Sequence, residues 1–157
     1  MITQVEINYI YSLCQKGDIH QMNIVKFTPN FTVGEFFQGI PPAKFKEIKK
    51  EHIKNLFKVA AILQALRKSL FKNKPIIISP QGGWRDKNTQ KLLVKGGKGA
   101  VKSQHLLGNA VDFNVRGLSA KEVQLLLRLS KLKYTIGLGF NFTHLDRRIG
   151  IGEFTYG

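Results

Sequence analysis

The sequence predicts an α+β domain, with helices packed on a mainly antiparallel sheet. Three observations carry this. At 157 residues the chain is the size of one domain and long enough to bury a core without disulfides. Its first half holds a long amphipathic helix pattern. Its second half holds short alternating runs, "NAVDFNV", "YTIGLGF" and "NFTHLD", that read as strands.

Taken in order, residues 1–28 are a less patterned leader, and "NFTVGEFF" begins the ordered part. "GIPPAKF" is a turn, because paired prolines exclude helix there. From Glu51 to Leu70 the apolar residues Ile53, Leu56, Phe57, Ala60, Leu63, Leu66 and Leu70 form one stripe, with Lys54, Lys58 and Lys68 off it. "KPIIISP" is a short buried strand stopped by Pro80. Residues 81–102 carry "QGG" and "KGGKG" and read as loop, with one short helix at Asn88–Val94. In "NAVDFNV", alternation puts Ala110, Asp112 and Asn114 on one face and Val111, Phe113 and Val115 on the other. Ser119 and Glu122 form a capping box that opens a helix running to Ser130. No repeat or linker divides the chain, so a single domain over 1–157 is expected.

Composition narrows the chemistry. The single cysteine, Cys14, excludes an intrachain disulfide and a cysteine-based zinc site, so any metal must be held by histidine and carboxylate. The N-terminus lacks a basic region followed by a long apolar core, and no apolar run approaches a membrane span. Synthesis in the cytoplasm without an export signal is the expectation, and a monomer is expected. The formal charge of +15 calls for an anionic partner. Ten Lys/Arg lie between Lys44 and Lys74, and six more between Arg85 and Lys102. The basic–aromatic alternation of a base-stacking surface is missing, so no specific nucleic acid is expected.

The chemistry concentrates in "SQHLLGNAVDF", where a carboxylate sits in an apolar run close to an imidazole. An unpaired carboxylate there is costly, so Asp112 needs a positive partner, either an ion pair or a metal. Asp112 shares its face with small Ala110 and polar Asn114, which suggests the floor of a cleft. Gly108 permits a tight turn that returns His105 over that floor. In "FTHLD", His144 and Asp146 face the same way. Two histidines and an aspartate leave one zinc position open, the pattern of a catalytic site. His20 and His52 lack such surroundings, and His52 is expected to be exposed.

The pattern S-x-H-x-x-G-x-A-x-D, filled by Ser103, His105, Gly108, Ala110 and Asp112, together with His144 and Asp146, resembles the zinc D-alanyl-D-alanine carboxypeptidases and related murein endopeptidases, the LAS metallopeptidases. The likeness runs from "NFTVGEFF" to "THLDRR" and includes "GGWR", similar to the family's S-G-Y-R segment. It implies the hedgehog/DD-peptidase fold and hydrolysis of peptidoglycan stem peptides, with zinc on His105, Asp112 and His144. It also implies that Arg85 binds a substrate carboxylate, a role suited to a planar bidentate donor. Ser103 and Gln81 are further substrate-binding candidates. A phage-type lysis endopeptidase or a D,D-carboxypeptidase acting at the anionic bacterial cell wall fits the charge.

The chain departs from the family at two places. Trp84 stands where the tyrosine does, so a differently shaped substrate pocket is expected. Many relatives carry a general-base glutamate three residues before the last ligand, but Asn141 stands there and cannot take a proton. That leaves Asp146 as the candidate base, or as an orienter of its neighbours. The alternative function is a non-catalytic metal-bound homologue that binds wall peptides, and a third is a basic nucleic-acid-binding module, which rests on the charge alone.

Overall fold

The computed structural model describes residues 1–156. The leader is helical rather than unpatterned: α1 (Gln4–Lys16) and α2 (Ile19–Met22) occupy it. Thr3 and Glu6 close a capping box on α1, and Ile7, Ile10, Leu13 and Cys14 bury one stripe against the rest of the fold. That stripe is short, and two tyrosines and a serine interrupt it, which masks it in sequence. Burial raises the Cys14 thiol to about 12, so it packs as an unreactive apolar group.

A small hairpin, β1 (Lys26–Thr28) and β2 (Phe31–Thr32), follows. The prolines of "GIPPAKF" exclude an α-helix but start a 3-10 helix over Pro42–Glu47, because the fixed φ of proline suits a first helical position. The long helix α3 (Lys50–Ser69) buries Ile53, Leu56, Val59, Ala60, Leu63 and Leu66. His52 is half-buried, not exposed. Its Nδ1 accepts the Lys49 N–H at 3.2 Å, and its ring lies 6.5 Å from Trp84.

The remaining elements are β3 (Ile76–Ile78), α4 (Lys87–Lys95), β4 (Ala110–Val115), α5 (Ala120–Leu129), β5 (Tyr134–Leu138), β6 (Thr143–Ile149) and β7 (Glu153–Thr155). Ser119 and Glu122 cap α5 as the sequence predicts. The sheet runs β3-β4-β6-β5-β7; every pairing is antiparallel except the parallel β5–β7 edge. Expectation and fold agree: α+β, with helices on a mainly antiparallel sheet. Strand β7 was not foreseen.

Alternation along β4 separates core from site. Val111, Phe113 and Val115, with Leu145 of β6 and Ile136 of β5, join the apolar core with α3 and α5. The opposite face carries Asp112, His144 and Asp146.

Candidate metal centre

Strand register brings the first two candidate ligands together. Asp112 and His144 are directly opposed across β4 and β6, and Ala110 opposes Asp146, so all four side chains share a face. His105 arrives from a 3-10 turn over Gln104–Leu107. Ser103 caps that turn, its Oγ accepting the His105 N–H at 3.2 Å. Gly108 ends it at φ +72°, where an added Cβ would lie 2.7 Å from the His52 carbonyl oxygen. Glycine is required there for both reasons.

The "QGGWR" segment ties these pieces to one another. The Gly82 carbonyl accepts the Asp112 N–H at 2.8 Å, and the Gly83 carbonyl lies 2.8 Å from His105 Nδ1. Arg85 N–H donates to the His105 carbonyl at 3.2 Å. The Arg85 guanidinium, 8% exposed, donates to Asp112 Oδ2 at 3.1 Å, Gln90 Oε1 at 3.1 Å and the Gln81 carbonyl at 2.6 Å. Asp112 thus has an arginine partner as well as two imidazoles.

The donor set fits a cation. The Gly83 carbonyl requires the Nδ1–H tautomer of His105, leaving Nε2 as a bare acceptor. That Nε2 is buried with no hydrogen-bond partner and lies 3.3 Å from Asp112 Oδ1. His144 directs Nε2 at Asp146 Oδ2 (2.7 Å) and Nδ1 at Asp112 Oδ1 (2.9 Å). With Nε2–H given to Asp146, three electron pairs converge, on His105, Asp112 and His144. Ligand atoms of the three lie within 4.8 Å of one another. Such a cluster is repulsive unless a proton or a metal sits in it.

The electrostatics of the three residues differ. Burial lowers the pKa of His105 and keeps it neutral, as a ligand must be. Burial also works against charge on His144, but hydrogen bonds to Asp112 and Asp146 outweigh it and raise the pKa. Burial opposes ionisation of Asp112 too, yet the two histidines hold its carboxyl well below the usual range.

The other predicted residues divide. Arg85, Ser103, His105, Asp112 and His144 all line one cleft of about 380 Å³. Gln81 contributes its main chain: at φ +60° its carbonyl holds Arg85, and its side chain lies outside the cleft lining. Trp84 does not shape the pocket; it is buried against Phe37, 5.7 Å between rings. Asn141 is exposed and is not among the residues that line the cleft.

Asp146 sits behind the imidazole rather than in the cleft. It is 0% exposed, takes the His144 ring on Oδ2, and is gripped by Arg148 through Nε (2.8 Å), Nη2 (2.8 Å) and the backbone N–H (3.1 Å). Burial opposes its charge, but Arg148 and His144 prevail and bring it down to about 2.

Several lining residues escaped the sequence reading: Lys98 and Lys102 on the glycine-rich loop, Phe142, Arg148, and Phe154 and Tyr156 on and after β7. A signal for β7 existed in "RRIGIGEFTYG", apolar residues around a Gly-x-Gly turn. Gln90, which holds both Arg85 and the Ala100 carbonyl, had none.

No curated protein matches the chain. Residues 30–146, which contain all three candidate ligands and the strands that set two of them in register, match the family Peptidase M15. The chain therefore belongs to the M15 peptidases, a zinc D-Ala-D-Ala carboxypeptidase-type family with the hedgehog/DD-peptidase fold.

Proposed function

We propose that this M15 peptidase is zinc-dependent and hydrolyses peptide bonds in peptidoglycan stem peptides. The observation that carries it is the convergence of His105 Nε2, orphaned and buried, with Asp112 and His144 Nδ1 at the floor of an open cleft. These three residues would hold the ion. Bound zinc supplies Lewis acidity, which polarises a peptide carbonyl and eases deprotonation of water.

The protein's own groups do the rest. Gly83 and Asp146 set the two ring orientations. Arg85 has five N–H donors and engages three, leaving two for a substrate carboxylate. Lys98, Lys102 and Arg148 make the walls cationic, which suits a carboxylate-bearing stem peptide. The working site is the bacterial cell wall, an anionic surface that attracts a chain of charge +15.

One observation favours a second reading, a binder of wall peptides without turnover. Asp112 is the only carboxylate lining the cleft among the described residues, and it is a ligand. Digestion of purified peptidoglycan with and without a chelator, followed by mass spectrometry, separates the two. Chelator-sensitive release supports the peptidase. Loss of a terminal alanine marks a carboxypeptidase, and cleavage within the stem marks a lysis endopeptidase. Wall binding with no release supports the binder.

A further inference from the structure

We propose that Tyr156 is a catalytic residue of this cleft, its phenolic O–H donating a hydrogen bond to the scissile carbonyl oxygen as that oxygen gains negative charge. This rests on the peptidase reading above. Tyr156 lies outside the segment 30–146 that matches the family, so the family match does not carry it.

Geometry puts the phenol ring beside the candidate ligands. Tyr156 follows β7 and lines the same cleft as Arg85, His105, Asp112 and His144. Its ring lies 6.2 Å from the His144 ring, edge to face, and 5.0 and 5.3 Å from Phe142 and Phe154. The backbone N–H of Tyr156 reaches the Leu138 carbonyl at 3.4 Å, which extends the β5–β7 pairing to this residue.

Gly137, opposite His144, makes the approach possible. A Cβ there would lie 2.7 Å from His144 Cβ and 2.9 Å from Tyr156 Cε2. The missing side chain lets the phenol ring lie beside the imidazole. Tyr156 as a residue is 42% exposed, so a substrate can reach it.

The chemistry of the other lining groups leaves this part open. Asp112 is a ligand, Asp146 is sealed behind His144, and Arg148 is committed to Asp146. An ordinary phenol titrates near 10, so the O–H is a donor at neutral pH. A donor aimed at developing charge acts mainly in the transition state.

The test compares wild type with Tyr156→Phe and Tyr156→Ala, all zinc-loaded. One arm measures hydrolysis of muropeptides from digested peptidoglycan. The other measures calorimetric binding of methylphosphonate, a tetrahedral oxyanion. Tyr156→Phe keeps the ring and should lower kcat about 10²-fold or more, the usual effect of losing one such donor, with KM and zinc content unchanged. Methylphosphonate affinity should fall about tenfold in the same variant. Wild-type kcat and anion affinity in Tyr156→Phe would overturn the proposal, and loss only in Tyr156→Ala would make the ring a packing wall. If wild type cleaves no muropeptide, the peptidase reading fails on its own, and the anion arm still judges the phenol. Equal anion affinity in wild type and Tyr156→Phe, or no binding to either, would overturn it there too.

Discussion

At the scale of single residues, Asp146 shows how position decides chemistry. A base must reach the water that it deprotonates, but this carboxylate faces the back of the His144 ring and is held there by Arg148. Its place is that of a carboxylate behind a candidate metal-binding histidine, fixing tautomer and orientation. Asp146→Asn should therefore weaken zinc affinity about 10–100-fold, the usual effect of losing such a partner, measured as zinc Kd alongside kcat. A large kcat loss with unchanged zinc Kd would return Asp146 to the role of base. The acid limb of stability should change as well. An unfolded aspartate titrates near 3.9, whereas Asp146 is brought down to about 2. Its contribution is full above the unfolded value and is lost as pH falls toward 2. Urea unfolding of the metal-free protein between pH 5 and pH 2 (roughly the window of this titration) should show a shallower acid loss in Asp146→Asn.

The elements matter chiefly through one loop. The "QGGWR" segment after β3 carries hydrogen bonds to β4, to the His105 ring and to the 3-10 turn at Gly34–Phe37. Its two glycines are there because backbones meet. A Cβ on Gly83 would lie 2.2 Å from the Phe36 carbonyl oxygen, and one on Gly82 2.8 Å from that of Asp112. Neither neighbour is a flexible side chain that can turn away. Gly83→Ala should cost at least about 3 kcal/mol, the upper end for overpacking, and should release zinc more readily because the Gly83 carbonyl orients His105. Denaturant midpoints of the metal-free and zinc-loaded forms check both parts. A midpoint equal to wild type would mean that the loop can move without loss.

At the scale of the whole molecule, positive charge extends well beyond the cationic cleft. Ten of the Lys/Arg fall between Lys44 and Lys74, on and around α3, and the three candidate ligands lie on β4, β6 and the His105 turn. Long-range attraction to an anionic wall is screened by salt, with a Debye length of about 10 Å at 0.1 M, whereas short-range contacts in the cleft are screened much less. Wall lysis should fall steeply as salt rises through that range, and hydrolysis of a small soluble stem peptide much less. Parallel salt titrations of the two reactions check this. Equal slopes would remove the Lys44–Lys74 cluster from docking.

Local rules determined a good deal by themselves. The stripe of α3, the Ser119–Glu122 cap and the alternation of "NAVDFNV" depend on residues a few positions apart, and each formed as the spacing predicts. The candidate ligand motif was legible for the same reason: Ser103, His105, Gly108 and Asp112 sit on one turn and the strand that follows it. Only the tertiary structure decided the rest. Register across β4 and β6 set His144 opposite Asp112. Packing sent Trp84 into the core, and the Arg148 fork turned Asp146 away from the cleft. The parallel β7 edge brought Tyr156 to the site. Each of these depends on which distant group fills a given volume or satisfies a given hydrogen bond, and spacing along the chain does not contain that information.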